Sequence, residues 1–344
     1  MLRSQVEAAA PPAKYAPQAV RALGLLAALA VLLAVTVASL GLGSRPLGVG
    51  EVWAGLTDAA SATYTVVHDM RLPRTLLGLL VGVALGLAGA VAQALTRNPI
   101  ADPGLLGINA GASAAVVSAI TFLGVTSFTG YIWAAFAGAA VVSALVYVVS
   151  GSRSATPVRL ALAGAAVNAA LYSFVSGAQL LSAASLDRMR FWTVGSLADA
   201  RMATVWRVLP FIAVGVALSL FLARGLNALA LGDDTARALG ARPAPTRVVA
   251  MIAVTLLCGA ATAACGPIVF VGLMVPHMVR SVTGPDLRWM LPYCVVLSPV
   301  MLLGADIIGR VVARPGEILV GVVTAVVGGP LFLFLLLRRK AVAA

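Results

Sequence analysis

The residues that could do chemistry in this 344-residue chain are few, because only 10% of it is charged. Five of them gather in two places. Arg71 and Arg74 precede a long apolar run, while Asp306, Arg310 and Arg314 follow another at i, i+4, i+8 spacing. The planar fork of arginine pairs with a carboxylate at two points, so these positions suit carboxylate recognition. Left exposed, an Asp306–Arg310 pair contributes only tenths of a kcal/mol, roughly. A second set carries no charge: Gly164, Asn168, Tyr172, Ser176 and Gln179. On a helix they share a sector of about 120°. Polar side chains are costly in lipid, so this stripe faces either protein or water, and both readings stay open. Without a formal charge it does not suit ion coordination. A third set lies in Leu226–Arg242, LNALALGDDTARALGAR, where Asp233 can cap a short helix, Arg237 stands four residues on and Gly240 can end it.

Other chemistry is excluded by what is missing. The two lysines, Lys14 and Lys340, are not followed by Ser or Thr, so there is no Walker A motif and any ATP must be hydrolysed by another chain. Cys258, Cys265 and Cys294 are odd in number, lack CxxC spacing and read as buried small hydrophobes, with no disulfide framework or metal site. His277, beside Pro276 and without Cys, Asp or Glu nearby, reads as structural, and His68 sits in a loop. A membrane-embedded enzyme needs ionisable groups converging at one depth, and an ion-coupled secondary transporter needs one within a span. All twelve acidic residues fall in loops or at span ends.

The elements that position these residues are membrane spans. With 61% hydrophobic residues and mean hydropathy +1.01, the chain reads as an all-α polytopic membrane protein. Its net charge of +12 is scattered between apolar runs, which suits topology beside anionic lipid and not a nucleic-acid partner. Residues 1–19, polar and dotted with proline, read as a mobile cytoplasmic tail; the uncharged run from Ala22 to Ser44 is too long for a signal-peptide core. About ten spans follow within a single domain, 20–340: approximately 22–44, 75–96, 105–125, 131–151, 160–182, 204–223, 248–264, 266–280, 289–305 and 318–337. With both termini inside, the cytoplasmic segments hold 15 basic residues and the external ones 9. Segments 45–70 and 183–207 are then external and long enough for short surface helices.

Residues 71–111 organise the rest. Between Thr75 and Thr96 there is no charge, and Gly78, Gly82, Gly86 and Gly89 form one stripe about 80° wide that Gln93 extends. Such a stripe lets a neighbouring helix approach closely. The run stops at Arg97-Asn98-Pro99, and Pro103-Gly104 and Gly107 bend the chain in an elbow expected at a membrane surface. Arg247, Cys258–Ala264 and Gly266-Pro267 echo this order in the opposite direction, a weak inverted repeat.

The strings RLPR (71–74), NPIADPGLLG (98–107, with Ile100 where leucine is usual), GPIVFVGLMVPHMVR (266–280) and RPGEILVGVVTAVVGGP (314–330) resemble the FecCD/BtuC-like permease family. These are membrane subunits of type II ABC importers for iron-siderophore, haem or cobalamin uptake. RMRFWTVGSL (188–197) and GPDLRWMLP (284–292) look most like the ferric-siderophore branch, with haem or cobalamin the alternative. The resemblance implies the type II permease fold in the bacterial cytoplasmic (inner) membrane. It implies a second permease subunit, identical or homologous, two ATPase subunits that bind ATP and Mg, and an extracytoplasmic substrate-binding protein. It implies no cofactor and no catalysis in the chain itself. By resemblance, Arg71, Arg74 and Arg310 dock the binding protein through glutamates on its two lobes, with Arg314 a bystander. Leu231, Gly232, Asp234, Ala236, Arg237, Leu239 and Gly240, in the coupling loop 226–242, meet the ATPase. Gly164, Asn168, Tyr172, Ser176 and Gln179 line the translocation path. Asn98, Ile100, Ser154, Thr156 and Pro157 belong to the cytoplasmic gate.

Overall fold

Long apolar runs without strand alternation call for helices. The computed structural model describes residues 17–125, 127–151 and 156–343, and among them there is no strand. Most of the expected N-terminal tail and Ser154 lie outside the described residues. The chain opens with α1 (Gln18–Gly41) and the short α2 (Val49–Thr57). A π-turn at Val66–Arg71 runs directly into α3 (Leu72–Thr96). A 3₁₀ turn at Pro103–Leu106 leads to α4 (Ile108–Leu123), α5 (Phe128–Val149), α6 (Pro157–Leu180) and the short α7 (Ala183–Trp192). Then come α8 (Met202–Ala230), α9 (Asp233–Ala238), α10 (Pro243–Cys265), α11 (Val271–Thr283), α12 (Leu287–Val312) and α13 (Val320–Ala343).

Among the described residues, seven helices are long and apolar enough to cross a membrane: α1, α3, α5, α6, α8, α10 and α12. Two shorter apolar helices, α4 and the first part of α13, fall on further expected spans. The run at 266–280 departs from expectation. Its helix, α11, has 13 residues and reaches only about 20 Å, short of a ~30 Å hydrocarbon core. The backbone before it is irregular, with Phe270 at φ +71°. The short helices α2 and α7 stand in the two segments expected to carry surface helices.

α3 and α10 form the centre. In each, 78% of the most apolar window is buried, against 11% in α1. The glycine stripe of α3 explains the enclosure. A Cβ at Gly82 would lie 2.5 Å from Pro299 Cα of α12, and one at Gly89 would lie 1.7 Å from the Gly272 carbonyl of α11. Gln93 continues the stripe and donates from Nε2 to the Leu273 carbonyl at 3.0 Å. With no hydrophobic drive between helices in lipid, this backbone-to-backbone approach supplies the dispersion contact that holds α3 among α10, α11 and α12.

The elbow after α3 has two parts: Arg97 and Ile100 are exposed at the end of the bundle, and from Ala101 to Gly107 the chain tucks inward. Arg97 closes α3 in the left-handed region (φ +50°), and Asp102 accepts the Gly104 amide at 2.7 Å to start the 3₁₀ turn. Leu106 is buried, and a Cβ at Gly107 (φ +82°) would meet Val142 of α5 at 2.8 Å. Non-helical backbone is tolerated among membrane helices only where protein covers it, and here α5 and α6 provide the cover.

Candidate functional site

The loops divide between two ends of the bundle, and each end holds an ion cluster. At the first, Arg74 is bound by two carboxylates. Its Nε and Nη2 donate to Asp306 at 2.7–3.1 Å, and its Nη1 donates to Glu317 at 2.7 Å. Arg310 Nη2 pairs with Asp306 Oδ2 at 3.0 Å, an oxygen that Arg74 Nε also reaches. Arg310 also donates to the Ser39 and Leu42 carbonyls at 3.1 and 2.9 Å and to the Ser39 hydroxyl at 3.0 Å. Arg71 donates to the carbonyls of Leu40 at 2.6 Å and Gly41 at 2.7 Å, and to that of Arg45. Arg71 and Arg310 thus converge on the end of α1, where unsatisfied carbonyls and the helix dipole favour cations, while Arg74 is held by the two carboxylates.

These are the three arginines that the resemblance assigns to docking of a binding protein. They are 7%, 9% and 3% exposed, and Asp306 between them is 1% exposed. The Asp306–Arg310 pair is therefore a buried link and no longer a surface pair worth tenths of a kcal/mol. For Arg71 and Arg310 the cause of burial is the C-terminus of α1, whose last carbonyls accept from them; for Arg74 it is the pair of carboxylates, Asp306 and Glu317. Arg314 stays exposed and gives one bond to the Gly43 carbonyl at 2.8 Å.

At the opposite end lies α9. The expectation that Asp233 caps this helix is also corrected: the cap residue is Gly232, and Asp233 is the first helical residue. Its carboxylate instead accepts from Arg97 Nη2 at 2.5 Å and from Arg247 Nη2 at 2.6 and 2.7 Å. The two arginines hold the Asp233 carboxyl below its ordinary pKa, with the Arg247 hydrogen bond the largest cause. Arg237 pairs with Asp234 at 2.8 Å, three residues before it. Gly240, at φ +80°, ends the helix as expected, and the Ala241 amide closes back onto the Ala236 carbonyl at 2.9 Å. Leu231, Asp234, Arg237, Leu239 and Gly240 are exposed, Gly232 is half-buried and Ala236 is buried under the helix. Nearby, Asp286 starts α12 and accepts from Asn227 of α8 at 2.7 Å; its bonds to Arg288 come first in holding its carboxyl low.

The α6 stripe splits along its length. Gly164 does not line an opening: a Cβ there would sit 1.7 Å from the Leu105 carbonyl, so only glycine admits the elbow. Asn168 donates to the Gly104 carbonyl at 3.0 Å and holds that same elbow. Tyr172 and Ser176 are exposed and Gln179 is half-buried. The exposed face they share also holds Ala165, Ala169, Ser173 and Gly177 in its middle stretch, with Val158, Leu162 and Leu180 exposed towards its two ends. The exposed face of α1 is instead leucine and valine: Leu23, Leu26, Leu29 and Leu33, with Val37.

The residues expected at the gate mostly shape turns. Asn98 accepts the Ile100 amide at 3.1 Å, Thr156 accepts the Arg159 amide at 3.3 Å as the cap of α6, and Pro157 opens that helix. Ile100 is exposed. His277 is buried, edge-on to Phe332 at 6.0 Å, with Nδ1 3.4 Å from the Pro99 carbonyl. The three cysteines are buried and free.

Four ion-cluster residues escaped sequence reasoning as site residues: Asp233, Arg97, Arg247 and Glu317. The available signal was opposite charge at a helix end flanking one short loop, which holds for Arg247 after α9 and not for Arg97. Nothing local marked Glu317 as the partner of Arg74.

A profile of the FecCD transport family matches residues 31–338. The chain belongs to the FecCD transport family. Over 324 residues it is 47% identical to the ferric enterobactin transport system permease protein FepD of Escherichia coli (strain K12), covering 93% of this chain and 96% of that protein. It is 36% identical to the hemin transport system permease protein HmuU of Yersinia pestis, over 92% of this chain and 96% of that one. Its structure is similar to that of a solved metal-chelate type ABC transporter in an inward-facing conformation, with TM-score 0.82, 28% identity and 92% and 99% of the two chains covered. The FecCD permease architecture is thus shared from α1 to α13, and the ion clusters at its two ends sit within it.

Proposed function

We propose that this FecCD-family chain is the membrane permease subunit of an ATP-driven importer and builds half of the path for a ferric siderophore. The observation that carries this is the exposed face of α6. Between the exposed Leu162 and Leu180, small and polar residues stand where lipid would favour leucine, so this middle stretch calls for a second permease subunit, identical or homologous, with a polar path between the two. Tyr172, Ser176 and Gln179 line that path, whereas Gly164 and Asn168 position the elbow behind it. Greater identity to the enterobactin permease (47%) than to the hemin permease (36%) favours a siderophore over haem.

In this reading the α9 end is cytoplasmic, as are both termini, in the inner membrane. The exposed side of α9 (Leu231, Asp234, Arg237, Leu239) with Gly232, Ala236 and Gly240 meets one of two ATPase subunits, which bind ATP and Mg. The Arg74 end is extracytoplasmic and receives the substrate-binding protein. Arg71, Arg74 and Arg310 act there only by exchange, a glutamate of the binding protein replacing Glu317, whose side chain is 32% exposed, on Arg74. The gate near Asn98, Ile100, Thr156 and Pro157 stays a proposal on the same footing.

The test is a mild-detergent pull-down of the tagged chain from its own membranes, followed by uptake of labelled ferric chelates. Recovery of a Walker-motif ATPase is the expected result, and a second permease in the complex would decide between identical and homologous halves. A chain that comes down alone under several gentle conditions would refute the importer reading.

A further inference from the structure

α9 is joined to the bundle loosely by its backbone and firmly by one side chain. Its six residues are too few to persist as an isolated helix. It is flanked by Gly232 at φ +102° and Gly240 at φ +80°, and a Cβ at either would meet nothing within 4 Å. Glycine is therefore required there by conformation and not by crowding, which makes both positions points where the chain can turn. The firm connection is the Asp233 carboxylate, gripped by Arg97 and Arg247 at 2.5–2.7 Å.

The two arginines belong to the two most enclosed helices. Arg97 closes α3, and Arg247 lies in the first turns of α10 with its own side chain buried. By chain connectivity α9 would pull on α8 and α10. The ion cluster adds α3, which the sequence places 136 residues from Asp233. α3 in turn carries Arg74 in its first turn, bound to Asp306 and Glu317. One helix of 25 residues, about 37 Å long, thus has an ion cluster at each end.

We propose that Asp233 is the positioning residue through which the coupling helix moves the permease, passing displacement of α9 to α3 through Arg97 and to α10 through Arg247. The proposal rests on the coupling role given to α9 above and names the linkage inside this chain. The outer face of α9 takes the push from the ATPase, and the glycine turns let it tilt without dragging α8. α3, packed backbone-to-backbone along its glycine stripe, then shifts as a rigid rod and carries the motion to the Asp306 cluster.

The test uses the whole complex, permease with its ATPase and binding protein, in proteoliposomes, with radio-iron-labelled ferric enterobactin as the probe. The variants are Asp233→Asn, Asp233→Glu, Arg247→Gln, Arg97→Gln and the Asp233→Asn/Arg247→Gln double. Uptake per ATP hydrolysed should fall on the order of tenfold in Asp233→Asn with the ATPase still bound. It should recover largely in Asp233→Glu, and the double variant should lose no more than the single, because both remove one linkage. Arg97→Gln leaves the Arg247 contact in place and should give a smaller loss, which keeps the idea testable if Asp233→Asn folds poorly. Unchanged uptake per ATP, independent losses that multiply in the double variant, or loss of ATPase binding in Asp233→Asn would each overturn the linkage. A wild-type chain that binds no ATPase would instead overturn the importer reading itself.

Discussion

Replacing Asp306 with asparagine tests whether the buried ion cluster holds α1, α3 and α12 together. Asp306 is 1% exposed and accepts from both Arg74 and Arg310. Asparagine keeps the shape and one acceptor oxygen but removes the charge and turns an amide donor toward two cations. Removing one partner from a buried ion pair costs about 3–5 kcal/mol. Here Arg74 keeps Glu317, and Arg310 keeps the Ser39 and Leu42 carbonyls, so the lower figure, about 3 kcal/mol, is expected. For a chain of 344 residues that corresponds to a melting midpoint lower by roughly 4 °C. The protein supplies its own probes, since Cys258, Cys265 and Cys294 are buried and free. A thiol-reactive dye in a thermal ramp of the detergent-purified chain will report their exposure. Arg314→Gln, at an exposed position with a single backbone bond, is the control and should cost less than about 1 kcal/mol. An Asp306→Asn midpoint within about 1 °C of wild type would refute the view that these charges are a structural joint.

Gly89→Ala should destabilise by about 1–3 kcal/mol, because α3 and α11 must part to admit the methyl, whereas Gly50→Ala on the open side of α2 should be neutral or stabilising; the same dye ramp compares them. Glu317→Gln should strengthen binding-protein docking several-fold by loosening the internal competitor for Arg74, and titration of the binding protein onto nanodisc-embedded complex checks it; weaker or equal docking would end the exchange idea. Because the Asp233 carboxyl is held below its ordinary value of about 3.9, its ion cluster is intact above that value and is lost only as pH falls through the lower, folded one. Uptake per ATP should therefore show no step between pH 5 and 8 in wild type that Asp233→Asn abolishes, and a pH series on both proteins would expose one.

Much of this molecule is legible without coordinates. The uncharged runs mark membrane helices because lipid imposes a length and an apolar composition on any chain that crosses it. The glycines of α3 declare a packing face because a 3.6-residue repeat decides which side chains share a side. Gly240 announces the end of α9 for an equally local reason, its ease at positive φ.

What the sequence could not decide is which charges meet. Arg74 and Asp306 are 232 residues apart and Arg97 and Asp233 are 136 apart, and no periodicity relates them. Arg71, Arg74 and Arg310 look like surface groups in a linear reading, since arginine at a span end is ordinarily drawn to the interface. The inward turn of Arg71 and Arg310 follows from where α1 stops, and that of Arg74 from Asp306 and Glu317; both neighbourhoods exist only once the helices have packed. The same holds for Gly164 and Asn168, which share a face with Tyr172 yet meet the folded-in elbow instead of open space. Local spacing determined the helices and their faces; the tertiary structure alone decided what each face found opposite it.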